Sequence, residues 1–581
     1  MTAKLTRVVG ALARASGMRE AMLNELVRVG DANLLAEVLR VSGDEATLQV
    51  FEETSGLALE QPLRRQGLPL AVDLGPGLLG SVLDGIGRPL SALVARTGDF
   101  IAPGVEATAI DPARRFVFRP SRSPGDVVAE GDVLGTVEES GGFEHRILVP
   151  PEKGGVLRSL RSGELRASDP IGELDDGTAL ALVQRWPVRR PRPVSARVAG
   201  TRPLLTGQRI FDFLFPVAEG GIVAVPGGFG TGKTVIEQSL AKYAEADVVV
   251  YIGCGERGNE MAEVLHEFAE LRDPRSGRRV LDRTVLVVNT SNMPVAAREA
   301  SIYVGLTIAE YFRDQGYRAA VMADSLSRWA EALREIGSRL QEMPGEEGYP
   351  TYLAGRTAKL HERAGRVRCL GAPERSGSVT LFSAVSPPSG DFSEPVTQAC
   401  LRVAGALWAL DPALAHQRQF PAVDAQASYS LYAESMEAWF GAEVDARWGA
   451  TRRELLALLE RDGELREVAA VVGPEALEDA DRLLLATAAL VRETVLGQSA
   501  FDPNDAYSSP DKTHMLAHSA LDIHERGKRA LAAGATYEQL ELGPARRALV
   551  ALRDAPASEI RARESELAAR IASLTGEGAP P

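Results

Sequence analysis

The spacing of hydrophobic residues divides this chain into segments of different kinds. Residues 1–70 contain short alternating segments between glycine and aspartate turns, such as 48–52, and predict a small N-terminal β-barrel. Residues 110–190 predict a second β-rich unit. Residues 191–430 alternate apolar runs with helical patterns, which indicates a mainly parallel sheet covered by helices. From 431 to 581 the spacing is helical, which predicts a C-terminal α-helical domain.

The apolar runs within 191–430 predict the strands of the sheet. They cover residues 221–225, 247–253, 284–289, 318–323 and 378–385. Residues 71–109 are punctuated by glycine and form a connection to this core. The predicted fold class is therefore multidomain α/β, with an N-terminal barrel, a β-rich insertion, a central parallel-sheet domain and a helical C-terminal domain.

The β-rich insertion has two possible functions. Its segments 124–128 and 130–135 resemble the turn-and-strand units of lipoyl-type barrels. A lipoyl or biotin carrier needs a lysine at an exposed hairpin tip. Lys153 is the one lysine of this unit, and its setting, Pro-Pro-Glu-Lys-Gly-Gly, differs from such a tip. The motif therefore favours a structural insertion over a carrier domain.

Composition narrows the function classes. The chain has 581 residues, a net charge of −14 and a pI near 5.3. This charge gives no diffuse positive field, so nucleic acid and anionic lipid are not expected as direct ligands. No apolar run approaches the ~18 residues that span a bilayer. The three cysteines, Cys254, Cys369 and Cys400, lack metal-ligand spacing and suit a reducing cytoplasm.

A glycine-rich segment fits the pattern G-x-x-x-x-G-K-[ST], which is typical of a loop that holds nucleotide phosphates. Its residues are Gly227, Gly228, Phe229, Gly230, Thr231, Gly232, Lys233 and Thr234. The backbone N–H groups can surround the β-phosphate, Lys233 can reach the β/γ oxygens, and the Thr234 hydroxyl can bind Mg²⁺. A predicted strand before the loop and a predicted helix after it favour nucleotide binding over a glycine-rich turn that binds nothing.

Ligands of a parallel sheet lie at the carboxyl ends of its strands, which points to the residues that follow each predicted strand. Glu256 and Arg257 follow 247–253. The carboxylate could orient an attacking water, and the guanidinium could hold a phosphate. The alternative is that the two side chains merely pair with each other at a helix start.

Asp324 follows the strand at 318–323. An acid at this place, downstream of a phosphate loop, is expected to support Mg²⁺, and the alternative is an N-cap for the helix that follows.

An adenine base needs an apolar slot with an aromatic face. Spacing alone does not choose among the aromatic residues, for which ordinary core packing is the alternative.

Several further motifs resemble the catalytic A (alpha) subunit of V/A-type rotary ATPases and ATP synthases. Besides the phosphate loop they are 253–261 (Gly-Cys-Gly-Glu-Arg-Gly-Asn-Glu-Met), 289–301, 324–325, 327–336, 345–350, 385–388 and 390–391. The resemblance extends over essentially the whole chain, including the insertion that distinguishes this family from the F-type β subunit. It implies a RecA-like P-loop nucleotide-binding domain that interconverts ATP with ADP and phosphate, coupled to H⁺ or Na⁺ transport.

The resemblance also assigns roles to residues. The loop from Gly227 to Val235 binds ATP or ADP. Thr234 and Asp324 hold Mg²⁺. The roles beyond the loop are water activation by Glu256, phosphate binding by Arg257 and flanking of adenine by Phe420 and Phe501.

Partners follow from the same resemblance. The family implies an A₃B₃ hexamer in which the B subunit supplies an arginine finger worth ~10³–10⁵ in rate. It also implies a central rotor stalk, a peripheral stalk and, indirectly, a membrane ion-translocating sector. The chain is then expected at the cytoplasmic, inner face of the cell membrane, held there through the complex.

Some positions depart from the family pattern. Leu326 replaces a usual threonine, residues 424–427 replace a segment that usually ends in Asn-Gly, and Ser499 replaces an asparagine. Two other functions are therefore weighed, a nucleotide-binding regulatory paralogue and another hexameric P-loop ATPase of helicase or secretion type. The retention of Lys233, Glu256 and Asp324 argues against the first, and the insertion, the acidic balance and the lack of a basic stripe argue against the second.

Overall fold

The computed structural model describes residues 3–98, 100–139, 142–228, 230–274 and 276–574. Phe229 of the predicted phosphate loop therefore lies outside the described residues. The chain forms two compact units. The first contains the described residues up to Ala199 together with Ala246–Val403, and the second contains Gly200–Glu245 together with the described residues from Ala404 on.

The N-terminal part of the first unit is a six-stranded antiparallel barrel. Its strands are Lys4–Val9, Leu12–Ser16, Glu25–Val29, Leu34–Ser42, Glu45–Val50 and Leu63–Pro69. They pair in the order first, second, fifth, fourth, third and sixth, and hydrogen bonds of the first strand to the segment at 60–63 close the ring. Alternate apolar side chains such as Val27, Val38 and Leu48 fill the interior because successive residues of a strand face opposite sides.

The insertion consists of two four-stranded antiparallel sheets. The first contains Val127–Val128, Gly155–Leu160, Pro170–Leu174 and Ala179–Ala181, and the second contains Phe143–Leu148, Val133–Glu139, Arg115–Pro120 and Gly163–Arg166. Lys153 lies in the link between strands of different sheets, which agrees with a structural insertion and not with a carrier hairpin. A two-stranded ribbon, Ala71–Leu74 with Gln184–Pro187, flanks the insertion along the chain.

The rest of the first unit is a parallel sheet. Its parallel strands, in spatial order, are Val82–Asp84, Thr284–Thr290, Val248–Glu256, Arg318–Asp324 and Ser376–Val385. Gly365–Arg368 and Ala196–Val198 extend the edge in antiparallel pairing. The helices of this unit are Leu90–Thr97, Gly258–Glu270, Val295–Asp314, Leu326–Arg339, Leu353–His361 and Pro395–Leu401. Short 3₁₀ turns cover Val280–Arg283, Glu346–Gly348 and Pro388–Gly390.

The second unit is mainly helical. Its strand Ile222–Pro226 pairs in parallel with Ala406–Leu407, which pairs with Tyr429–Ser430. The helices are Lys233–Tyr243, Pro412–His416, Ala433–Glu443, Trp448–Val472, Asp479–Val491, Pro510–Ala532, Gly543–Arg553 and Ile560–Ser573. π-helical turns cover Ile210–Leu214 and Arg492–Leu496, and 3₁₀ turns cover Pro474–Ala476 and Tyr537–Leu540.

The predicted fold class is confirmed. Each of the five predicted strands is present, with ends that differ by no more than three residues from the predicted ones. The described part of the chain contains no helix of the length and apolar character that crossing a membrane requires.

Candidate functional site

The phosphate loop of the second unit joins the strand Ile222–Pro226 to the helix Lys233–Tyr243. Gly230 and Gly232 have φ angles of 77° and 86°, which residues with side chains rarely adopt. A Cβ at Gly227 would lie 2.8 Å from the Cβ of Leu410 and 2.8 Å from Thr231 Oγ1. The glycines are therefore needed both for the turn and for close packing.

The polar groups of the loop converge on its own carbonyl oxygens. Lys233 Nζ donates to the carbonyl oxygens of Gly227 at 2.5 Å and Gly228 at 3.2 Å. The Thr231 hydroxyl donates to the same Gly228 oxygen at 2.9 Å. Thr234 is half-buried and Val235 is exposed at the start of the helix. The ammonium group is thus fixed against the backbone of the loop, where it can meet a phosphate.

Phe420 and Phe501 are both exposed, to 45% and 92%. A Cβ at Gly232 would lie 3.7 Å from the ring of Phe420, so this ring lies directly beside the phosphate loop. The core-packing alternative is wrong for both residues. Exposed aromatic rings are typical of a surface that receives a flat apolar ligand.

In the first unit, Glu256, Thr290 and Asp324 lie at the carboxyl ends of neighbouring parallel strands. Glu256 is in register with Thr290, and Gly253 is in register with Asp324. Gly255 has a φ of 76°. A side chain there would meet Arg328 Cβ at 2.7 Å, so this arginine packs against the backbone directly before Glu256.

The carboxyl group of Glu256 has an unusual charge environment. Burial raises its pKa from 4.5 to about 7, and the negative charges of Asp324 and Glu260 add to this rise. The positive charge of Arg328 opposes it. A carboxyl group with a pKa near neutral pH is suited to accept a proton from water.

Arg257 lies at the N-terminus of the helix Gly258–Glu270. Its side chain is 63% exposed, and its guanidinium lies 3.8 Å from the Glu260 carboxylate. An ion pair as exposed and as long as this one contributes little to stability, so a phosphate could readily compete with Glu260 for the guanidinium.

Asp324 is the last residue of its strand and is buried. The Tyr251 hydroxyl donates to its Oδ2 at 3.3 Å. The N-cap of the next helix is Ser325, so the alternative that Asp324 caps this helix is wrong. In the next residue, Ser325, the Oγ is buried without a hydrogen-bond partner.

These donors fit Mg²⁺. The ion prefers oxygen ligands, keeps several waters and usually takes one or two protein groups together with phosphate oxygens. In the first unit Asp324 offers a carboxylate, and the Ser325 hydroxyl could hold a metal-bound water. In the second unit Thr234 offers a hydroxyl, which is also an oxygen ligand of the kind this ion takes. The described residues contain no group of three or more His, Cys, Asp or Glu arranged to hold a metal.

Two arginines beside Gly255, the residue before Glu256, were not assigned by the sequence. Arg328 donates to both carboxylate oxygens of Glu331 at 3.0 Å. Arg298 is 9% exposed, donates to the Ser291 carbonyl at 2.8 Å and has an unpartnered Nε. The signal for Arg328 was its place one helical turn after Asp324. Arg298 gave none, since only the tertiary structure brings its helix beside Gly255.

A cavity of about 740 Å³ lies next to this region, on the helix Leu326–Arg339. Its lining residues include Arg298, Glu331 and Arg334 but not Glu256 or Asp324. It therefore borders the candidate site without containing its carboxylates.

The departures from the family pattern differ in setting. Leu326 is buried at the first turn of its helix, away from solvent. Asp424 accepts hydrogen bonds from the N–H groups of Gln426 and Ala427, so its segment forms a local turn. Ser499 Oγ accepts from the N–H of Phe501 at 3.3 Å.

Glu260→Gln is expected to shift the acidic limb of the pH–rate profile to lower pH. Glu256 must be ionised to accept a proton, so below pH about 7 the rate should fall about tenfold per pH unit. Removal of the Glu260 charge lowers the pKa of Glu256 because a like charge no longer opposes its ionisation. Turnover measured across the acidic and neutral range checks this. Glu263→Gln, an exposed change on the same helix, should leave the limb unmoved, and an unmoved limb in Glu260→Gln contradicts the prediction.

Four family models match successive parts of the chain. They are the ATP synthase alpha/beta family beta-barrel domain at 5–67, the ATP synthase alpha/beta subunit barrel-sandwich domain at 107–189, the ATP synthase alpha/beta family nucleotide-binding domain at 207–430 and the C-terminal domain of V and A type ATP synthase at 437–540.

Relatives match over nearly the full length. The V-type ATP synthase alpha chain of Anaeromyxobacter dehalogenans is 54% identical over 98% of each chain. One A-type ATP synthase relative, from Methanospirillum hungatei, is 48% identical over 95% of each chain. Among solved structures, the assembled ATPase EscN of the type III secretion system of enteropathogenic E. coli is similar with a TM-score of 0.64 and 25% identity, covering 89% of this chain and 100% of EscN. This chain therefore belongs to the ATP synthase alpha/beta family, in the group formed by the V-type alpha chains and their A-type counterparts.

Proposed function

We propose that this chain is the catalytic subunit of a V/A-type rotary ATP synthase, which interconverts ATP and water with ADP and phosphate and is coupled to H⁺ or Na⁺ transport. The observation that carries the proposal is Glu256, a carboxyl group at the end of a parallel strand whose pKa is raised to about 7. The V-type and A-type ATP synthase relatives named above support the same activity.

The phosphate loop binds the nucleotide. Its backbone N–H groups surround the β-phosphate, and the Lys233 ammonium neutralises the β/γ oxygens. The N-terminus of the helix Lys233–Tyr243 adds a favourable dipole. Thr234 and Asp324 would hold Mg²⁺, which supplies charge neutralisation at the phosphates when bound.

Glu256 acts on the attacking water. In hydrolysis its carboxylate accepts a proton as the water oxygen bonds to the γ-phosphorus and the bond from that phosphorus to the β,γ-bridging oxygen breaks, which releases ADP. In synthesis the same group returns the proton as the bridging bond re-forms and water leaves. Arg257 binds the phosphate that is released or consumed. Arg328, whose charge already reaches Glu256, is proposed as a second cation at this place. Phe420 and Phe501 flank the adenine ring.

Partners complete the reaction. A subunit of an ATP synthase works in a complex of several subunits, and the family of this chain supports the same for it. We propose an A₃B₃ hexamer in which the B subunit supplies an arginine finger, with a central rotor stalk, a peripheral stalk and a membrane sector reached through the complex. The chain then lies on the cytoplasmic, inner face of the cell membrane.

The matched family models support a proposed division of the chain into domains at 1–70, 71–109, 110–190, 191–430 and 431–581.

Co-expression with the products of neighbouring genes tests this function. The chain alone is expected to bind MgATP with slow turnover, and the complex that co-purifies should hydrolyse ATP ~10³–10⁵ times faster, because the finger comes from another subunit. Full activity of the chain without a partner contradicts the proposed division of labour. A hexamer of this chain alone that is active would favour the secretion-type ATPase, and an inactive complex would favour the regulatory paralogue.

A further inference from the structure

The two exposed aromatic rings of the second unit are carried by loops that meet at Gln498. The backbone N–H of Gln498 donates to the carbonyl oxygen of Phe420 at 2.8 Å. Phe501 follows three residues later. Gln498 itself is only 6% exposed, whereas the rings are 45% and 92% exposed. A buried residue thus joins the backbones of both ring-bearing loops.

The side chain of Gln498 has a partner at each end. Its Nε2 donates to the carbonyl oxygen of Gly207 at 2.9 Å. Its Oε1 accepts from the backbone N–H of Arg209 at 2.7 Å. Since the amide has both a donor and an acceptor in use, its orientation is fixed, and it ties the loops to the segment 207–209.

Asp505 fixes the turn that presents Phe501. Its Oδ1 accepts from Arg209 Nη1 at 2.5 Å, and its Oδ2 accepts from the N–H of Ser499 at 2.7 Å. The Ser499 hydroxyl in turn accepts from the N–H groups of Phe501 at 3.3 Å and Asp502 at 3.2 Å. A continuous series of hydrogen bonds therefore links the buried ion pair to the backbone of Phe501, which carries the exposed ring.

Stability alone gives a weak reason for this arrangement. Arg209 is 0% exposed, and burial lowers the pKa of its guanidinium although Asp505 opposes that effect. Burying such a pair costs desolvation energy that its attraction only partly returns. Its geometric effect is definite, because it holds an exposed loop in one position.

We propose that Gln498 and Asp505 are positioning residues that hold Phe420 and Phe501 at the separation a nucleotide base needs. They set the affinity for the base and not for the phosphates, whose ligands Lys233 and Thr231 bond within their own loop. This inference rests on the proposed nucleotide function and goes beyond it by naming what builds the base site. Aromatic stacking on a base contributes enough affinity for its loss to be measured.

Calorimetric titration of the full chain with MgATP and with magnesium tripolyphosphate, which lacks a base, tests this inference. In Gln498→Leu the affinity for MgATP should fall about tenfold, while the affinity for tripolyphosphate should change less than about twofold. Gln184→Leu is the matched control. Gln184 is also buried with both ends of its amide bonded, to the Leu148 carbonyl and to Arg192, but it belongs to the first unit. That variant should change neither affinity.

Ser499→Ala provides a second variant at a residue less buried than Gln498, where misfolding is not expected. It should weaken MgATP binding in the same selective way but less, and Ser565→Ala, on the C-terminal helix, is its control. Equal losses for both ligands, or no loss for MgATP, overturn the positioning role. A wild-type chain that binds neither ligand instead overturns the proposed function. If wild type binds MgATP but not tripolyphosphate, the MgATP affinities of the two variants are compared. A loss in Gln498→Leu that Gln184→Leu does not show supports the positioning role, and equal losses overturn it.

Discussion

Glu256→Gln is expected to lower ATP turnover of the assembled complex at least about 100-fold, with MgATP affinity nearly unchanged. Glutamine has the same shape but cannot accept a proton from water. The ground state should not suffer, because the change removes a negative charge that repels Asp324 and the phosphates. Turnover is measured as released phosphate, and affinity by titration with MgATP in the same preparation.

The control for this experiment is Glu263→Gln, which removes an equal charge from an exposed position of the adjoining helix. It should leave turnover within about twofold of wild type, as expected for a surface change. Near-normal turnover in Glu256→Gln would remove Glu256 from the chemistry. A large loss of MgATP affinity would instead assign it to binding.

Arg189→Leu is expected to lower the free energy of unfolding by about 3–5 kcal/mol. The Arg189 guanidinium makes two hydrogen bonds to Glu37, at 2.8 and 2.9 Å, and two to Glu299, at 2.7 and 3.0 Å. Both carboxylates are buried. Leucine would fill part of the space but leave two buried negative charges without their principal partner. Urea titrations measure this difference in the free energy of unfolding. An equal dependence of that free energy on urea concentration in both proteins checks that unfolding stays cooperative.

The pH dependence of this deficit has a defined sign. Burial alone would raise the pKa of Glu299, but the charge of Arg189 lowers it below 4.5. A carboxyl group with a lowered pKa in the folded state stabilises the fold above its unfolded pKa and loses this effect as pH falls. Without Arg189, burial raises the pKa of Glu299, so the deficit of Arg189→Leu should be full only above that raised pKa and should shrink as pH falls through the acid range.

The adjacent Arg190→Leu is the control for the stability experiment. Arg190 pairs with Glu152, and the two side chains are 52% and 61% exposed, so this pair should contribute much less than the buried one. A deficit in Arg189→Leu no larger than that of Arg190→Leu would contradict the importance of the buried pair.

The sequence predicted the main strands and the candidate site residues that directly follow them. Alternation and apolar runs indicated the barrel and the parallel strands because these patterns depend on which face of each strand is buried. The phosphate loop was readable because Gly230 and Gly232 are required by local backbone geometry. The role of Asp324 followed from its place at a strand end downstream of the phosphate loop, and that of Glu256 came mainly from the family resemblance; both stay predictions.

Other features depend on residues far apart in the chain, and local patterns carry no sign of them. The pKa of Glu256 reflects burial and the charges of Asp324 and Arg328, which only folding brings near, together with the charge of Glu260 four residues later. The exposure of Phe420 and Phe501 could not be read from composition, since aromatic residues usually pack in the core.

By itself the sequence determined the order of the domains and the phosphate loop, because periodicity and glycine geometry act over a few residues. Its motifs also indicated the family of this chain. Only the tertiary structure showed that Arg298 and Arg328 lie beside Gly255, and that Gln498 and Asp505 are hydrogen-bonded to the segments that carry Phe420 and Phe501. The physical reason is the distance along the chain over which each kind of interaction acts. Backbone propensity is local, whereas desolvation, charge–charge interaction and side-chain hydrogen bonding depend on distances in space.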